Sequence, residues 1–189
     1  MTPTPTPVYF AEPSPLTLEE HEIPHELKKR TTDVEANKFI VGWREWMALP
    51  NLEIPGIKAK IDTGARTSAL HTHDYEIFDK DGDEWVKFHL HPLVRIPEVE
   101  LTCEAPVSDY REVKDSGGHI EMRPFIHTTG RLASFEWQFE VSLTNRESMK
   151  FRMLLGRTAL NGLFVVDPQS SYIMGNSLRH KYPKSTKLR

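Results

Sequence analysis

Apolar and polar positions alternate through most of this chain, and the period is two rather than 3.6. Phe135, Trp137, Phe139, Val141 and Leu143 make the cleanest run and predict a half-buried antiparallel strand. Ile57, Ala59 and Ile61 interleave with Lys58 and Lys60 in a second such strand. Val86, Phe88 and Leu90 share one face, Trp85, Lys87, His89 and His91 the other, and Val99, Leu101 and Cys103 continue the alternation. Tyr75 to Phe78 and Glu84 to Leu90 flank Asp79-Lys80-Asp81-Gly82-Asp83, where Asp-Gly is a strong hairpin signal. Further strands are predicted over Phe39 to Pro50, with a bend at Gly42, and over Ser68 to His71, Leu163 to Val166 and Ser171 to Met174. Asp115-Ser116-Gly117-Gly118 reads as a flexible turn. Helical character is confined to Arg157 to Asn161. So many short strands with turn signals predict a mostly β domain, a barrel or a sandwich.

The chain has 189 residues, which suits one domain with tails. Residues 1–38 hold a Thr-Pro repeat and many charges and read as a disordered leader. The domain is expected over 39–175. Residues 176–189, with five Lys and Arg and no acid, read as a basic disordered tail suited to a weak contact with an acidic partner. A net charge of −3 gives no reason to expect nucleic acid, and no apolar run approaches a membrane span. The start lacks the pattern of a secretory signal, and a single cysteine, Cys103, excludes an intrachain disulfide. Together these fit a cytoplasmic protein. Cys103 itself lies in an apolar alternation and is expected in the core.

The chemistry gathers at Ile61-Asp62-Thr63-Gly64-Ala65. A strand that ends in an acid, a hydroxyl and a glycine presents one carboxylate on a tight turn. Gly64 permits a close backbone approach, and Thr63 can hydrogen-bond locally. This stretch resembles the catalytic turn of aspartic proteases. Phe151-Arg152-Met153-Leu154-Leu155-Gly156-Arg157, far downstream, resembles the second half of the retropepsin signature, which in that family packs beside the catalytic turn. Amide hydrolysis needs an activated water and a protonated leaving nitrogen, and two carboxylates sharing one proton supply both. The chain has one good turn. Asp115-Ser116-Gly117 follows Lys114 rather than an apolar strand end, and Asp167 precedes Pro168. A two-fold homodimer, each chain giving one Asp62, is the simpler way to a pair.

Val41-Gly42-Trp43-Arg44-Glu45, Lys60 to His71 and Phe151 to Leu160 together resemble a bacterial and archaeal family of retropepsin-like aspartic endopeptidases, formerly labelled ATP-dependent zinc proteases. The resemblance covers about 39–175. It implies a closed acid-protease β-barrel with one short helix, a homodimer, a peptide or protein substrate and no cofactor. Family members often accompany RimK-type ligases, which add glutamates to protein tails, and that implies processing of glutamate-modified protein. By this resemblance Asp62, Thr63 and Gly64 are the catalytic candidates. Ala65, Arg66, Arg123, Leu155, Gly156 and Arg157 are the substrate-side candidates. The chain departs from viral proteases in a longer spacing from Asp62 to Gly156 and in Arg66, where viral enzymes carry acids. Arg66 and Arg157 suit bidentate pairing with an acidic substrate, and equally a structural tie within the turn or the dimer. Residues 118–124 alternate polar side chains, suited to lining a cleft or to an exposed strand face.

A zinc site finds no His-Glu-x-x-His, although His71/His73 and His89/His91 are strand-face pairs that could meet. No Gly-x-x-x-x-Gly-Lys-Ser/Thr loop supports ATP dependence. The rival from another class is a non-catalytic peptide-binding module on the same barrel. The hairpin tip at 79–84 and the glycine turn at 115–118 are both flap candidates.

Overall fold

The alternating runs become strands held in register by their buried faces. The structure is a computed structural model and describes residues 38–94, 96–114, 117–145 and 150–182. Nearly all of the expected leader, Asp115, Ser116 and the end of the expected tail lie outside the described residues. In chain order the strands are β1 (Phe39–Gly42), β2 (Arg44–Leu49), β3 (Ile54–Asp62), β4 (Ser68–His71), β5 (Asp74–Lys80), β6 (Asp83–Leu90), β7 (Leu101–Pro106), β8 (Asp109–Lys114), β9 (Ile120–Leu132), β10 (Phe135–Thr144), β11 (Met153–Gly156) and β12 (Phe164–Asp167). One short helix, α1, spans Arg157–Leu160, and 3-10 turns occupy Pro50–Leu52 and Asn176–His180. The domain is mostly β with one short helix, as the sequence pattern and the resemblance predict.

The large sheet runs β10-β4-β11-β3-β2-β9-β8, and β9 also pairs with β10 along its length. β11 therefore lies between β3 and β4, which are neighbours in sequence. It is parallel to β3, with Leu155 beside Ile61 and Gly156 beside Asp62, and antiparallel to β4. A three-stranded sheet, β5-β6-β7, turns Val86, Phe88, Leu90, Cys103 and Ala105 into the same core as Met47, Ile57, Ile126, Leu143 and Leu155. β1 and β12 form a short parallel pair. Their rings join those of β10: Phe39, Phe135, Trp137 and Phe164 pack with centroids 4.6–6.2 Å apart. Trp137 also donates its indole N–H to the Ala159 carbonyl at 3.0 Å, tying β10 to α1.

Several expectations hold in detail. Asp81 and Gly82 both take positive φ, 59° and 87°, which is the two-residue hairpin that Asp-Gly predicts. Cys103 is buried, and its thiol donates to the Leu52 carbonyl. Others need correction. Phe39 to Pro50 is two strands, broken at Trp43, because the chain passes from β12 to β3 as its partner. A Cβ on Gly42 would come within 2.4 Å of the Ser170 carbonyl oxygen, so the crossing needs glycine there. Ser171 to Met174 is not a strand: Tyr172 has φ 58°, and the segment bonds to Arg44 and Glu45 instead of a ladder. The tail expected from 176 starts inside packed structure. Leu178 is buried, and Tyr182 donates its hydroxyl to the Gly56 carbonyl at 2.6 Å.

Candidate active site

β3 delivers Asp62 because its apolar residues fix the strand's two faces. Ile57, Ala59 and Ile61 are buried, so Lys58, Lys60 and Asp62 lie on the opposite, partly exposed face. The chain then turns at Thr63 and Gly64. The N–H groups of Gly64 and Ala65 both donate to Asp62 Oδ1 at 3.1 Å. Oδ2 is left to the Lys60 ammonium, 3.2 Å away. Partial burial pushes the Asp62 carboxyl up, but the Lys60 hydrogen bond and charge and the two N–H donors outweigh it and hold it below the usual carboxylate range.

The second signature segment holds the turn from behind. Arg157 donates from one guanidinium nitrogen to the carbonyls of Thr63 and Gly64, each at 3.0 Å. Its backbone N–H donates to the Ala65 carbonyl, and Thr158 donates through both N–H and hydroxyl to the Arg66 carbonyl. Gly156 donates its N–H to the Ser68 hydroxyl at 3.1 Å. A Cβ on Gly156 would lie 2.5 Å from the Thr67 backbone, so this contact between the two halves exists only with glycine.

The candidates separate accordingly. Asp62, Thr63, Gly64 and Ala65 form the turn, with Arg66 exposed at its exit. Leu155 is fully buried beside Ile61, and Gly156 is buried behind Thr67, so both support the turn from within. Arg157 spends its guanidinium on the turn's carbonyls, the structural alternative. Arg123 is buried and pairs with Glu121 at 2.7 Å; Glu121 also accepts from the Thr144 hydroxyl. None of these described bonds joins Arg123 to the turn.

Asp167 is built differently from Asp62. Its Oδ1 accepts from the Gln169 N–H and its Oδ2 from the Ser170 hydroxyl, so its own turn engages both oxygens. These bonds hold its carboxyl low. Of the histidines, His73 and His91 have ring centroids 5.8 Å apart, and His89 Nδ1 lies 2.6 Å from Asp74. Among the described residues, no group of three or more His, Cys, Asp or Glu is placed to hold a metal ion. No described helix is long and apolar enough to cross a membrane.

The sequence reading missed Glu45 and Lys60 as individuals. Glu45 is fully buried, and its carboxylate accepts the N–H groups of Gly42, Ile173 and Gly175 at 2.8–3.0 Å. It thereby anchors the segment after β12 to β2. Lys60 was legible through its i, i+2 spacing to Asp62, which places both on one strand face.

A family model described as RimB-like, retropepsin-like aspartic endopeptidase RimB, matches residues 40–177. Among curated proteins, the chain is 45% identical over 139 residues to a probable alpha-L-glutamate ligase of Shewanella halifaxensis, covering 74% of this chain and 30% of that protein. It is 40% identical over 148 residues to a probable alpha-L-glutamate ligase of Desulfotalea psychrophila, covering 78% and 32%. The chain thus spans about a third of the length of these relatives. Among solved structures, it is similar to the Legionella pneumophila protein Lpg0085, of unknown function, with a TM-score of 0.60 and 26% identity, covering 71% of this chain and 96% of that one.

Proposed function

This chain belongs to the RimB-like family of retropepsin-like aspartic endopeptidases, and from that premise we propose that it hydrolyses peptide bonds in glutamate-rich protein as a symmetric homodimer. The observation that carries the reading is the Asp62 turn. It presents a carboxylate whose Oδ1 is fixed by two backbone N–H groups and whose Oδ2 pairs with the half-exposed Lys60 ammonium. One chain supplies one such turn, and a two-fold axis beside it brings two carboxylates together. At about 3 Å the pair cannot both ionise, so one keeps a proton. The ionised carboxylate takes a proton from water, and the protonated one polarises the carbonyl and then serves the leaving nitrogen. We read the pairing of β9 with both β2 and β10 as the closure of a small barrel. The substrate class draws on the relatives named as glutamate ligases and on the cationic face around Asp62, where Lys60 is flanked by Arg44 on β2. Ligation is not carried over, since the stretch shared with those relatives is the one holding the aspartate turn.

The test uses poly-glutamate and neutral peptides at several salt concentrations. Wild type is expected to cleave the acidic substrate faster, with the difference shrinking as salt rises. Asp62→Asn keeps the shape but cannot share a proton as a dyad does, so it should abolish hydrolysis with an unchanged circular dichroism spectrum. Full activity in that variant rules out the mechanism. Tight peptide binding without cleavage in wild type selects the binding-module reading instead.

A further inference from the structure

We propose that Lys60 selects an acidic side chain next to the scissile bond by exchanging its ion pair with Asp62 for one with the substrate. The inference rests on the aspartic peptidase reading above and adds a residue to it. Lys60 and Asp62 lie two apart on β3 and so project from the same face. The ammonium lies 3.2 Å from Oδ2, the oxygen that the turn leaves unbound, and the lysine side chain is 45% exposed. An incoming peptide can therefore reach it.

The surroundings favour such an exchange. Arg44 is directly opposite Lys60 on β2, and its guanidinium is held over the rings of Trp43 and Tyr172, with Nε donating to the Ser171 hydroxyl. Leu154 flanks Lys60 on β11 and offers only apolar contact. Arg157 is committed to the turn's carbonyls, and Arg66 lies at the turn's exit. The cations of β2, α1 and the turn's exit thus surround this face, while Glu45 of β2, opposite the buried Ala59, has its carboxylate bonded to backbone N–H groups. Asp62 is the acid that Lys60 reaches at salt-bridge distance. A substrate carboxylate enters a positive field and competes for the half-exposed ammonium.

The exchange also prepares the chemistry. While Lys60 holds Oδ2, Asp62 is kept ionised and that oxygen is engaged. Once Lys60 turns to the substrate, Oδ2 is freed for water or for the facing carboxylate, and the affinity of Asp62 for a proton rises. A neutral side chain cannot draw Lys60 away. Selection and release of the catalytic carboxylate are then one event.

The experiment uses the full chain and two fluorogenic peptides that differ only in Glu or Gln flanking the cleaved bond. Wild type should prefer the Glu peptide in kcat/KM by about fivefold, the discrimination that a half-exposed ion pair can supply. Lys60→Met should bring the ratio to about one by slowing Glu cleavage while Gln cleavage is kept or raised, and Lys60→Arg should restore the preference. On the Gln peptide, the acidic limb of the pH profile should move to higher pH in Lys60→Met, because the carboxyl is no longer held down. A ratio unchanged in Lys60→Met overturns the proposal. So does an equal loss on both peptides with a lowered Tm, which marks a structural lysine. Asp62→Asn separates the two levels: if it is inactive and the Lys60→Met ratio is unchanged, only the lysine's role fails. If it cleaves like wild type, or if wild type cleaves neither peptide, both readings fail.

Discussion

Asp62 and Glu45 put the same functional group to opposite uses. Asp62 stands at a partly exposed strand end with one oxygen fixed by its turn and the other paired with a half-exposed lysine. Glu45 is fully buried, and both of its oxygens are committed to backbone donors 3, 128 and 130 residues away in sequence. Removing it strands three donors, two of them, Gly42 and Gly175, in buried hydrogen bonds. Each buried donor costs about 1–3 kcal/mol when left unpaired, so Glu45→Ala should lose at least about 2 kcal/mol in urea unfolding. Glu45→Gln keeps one acceptor oxygen but turns an NH2 toward a donor, so it should fall between the two. A loss under about 1 kcal/mol for Glu45→Ala would show that the anchor is dispensable. Nothing in the sequence near Glu45 announces this role. Its alternation suggests an outward polar position, and its partners come from a segment more than a hundred residues on.

The β8–β9 hairpin shows where strand patterning is legible and where it fails. Tyr110 pairs with Pro124, Glu112 with Met122 and Lys114 with Ile120, so these residues share one face, and Tyr110, Met122 and Ile120 are 41–56% exposed. Exposed side chains give little to stability. Ile120→Thr and Met122→Gln should therefore shift unfolding by less than about 0.5 kcal/mol. If this face meets substrate or a partner chain, the same variants lose activity at unchanged Tm; a large drop in Tm would mean that the face is covered. Runs whose two faces differ, such as β6 and the first half of β10, could be read from alternation alone. β9 could not, since Pro124 and Gly130 both read as strand breakers. Gly130 is required for a reason that appears only in three dimensions: a Cβ there would lie 2.7 Å from the Phe139 ring and 3.0 Å from Met47. The turn and its backing segment were each legible as motifs. The grip of Arg157 on the turn's carbonyls was not, because it depends on the register that sets Gly156 beside Asp62.

At the scale of the molecule, the proposed homodimer, with half a site per chain, makes activity a property of pairs. With free subunit exchange and a threefold excess of Asp62→Asn, random pairing leaves each wild-type chain a wild-type partner about a quarter of the time, and activity per wild-type chain should fall to about a quarter. Activity that tracks the wild-type concentration alone would instead mean that each chain works by itself. The position of β11 between β3 and β4 reaches further, into how the protein comes into being. The strand that separates the two arms of the aspartate turn is drawn from residues 153–156, about ninety positions after Asp62. Synthesis proceeds from the N-terminus, so β3 and β4 emerge long before the strand that must lie between them. Until then, the turn lacks both the ladder beside Asp62 and the arginine behind its carbonyls. Closing so long a loop is also slow. On the proposed function, the nascent chain is therefore inert until residues 153–157 have emerged, and the aspartate turn takes its final shape only then.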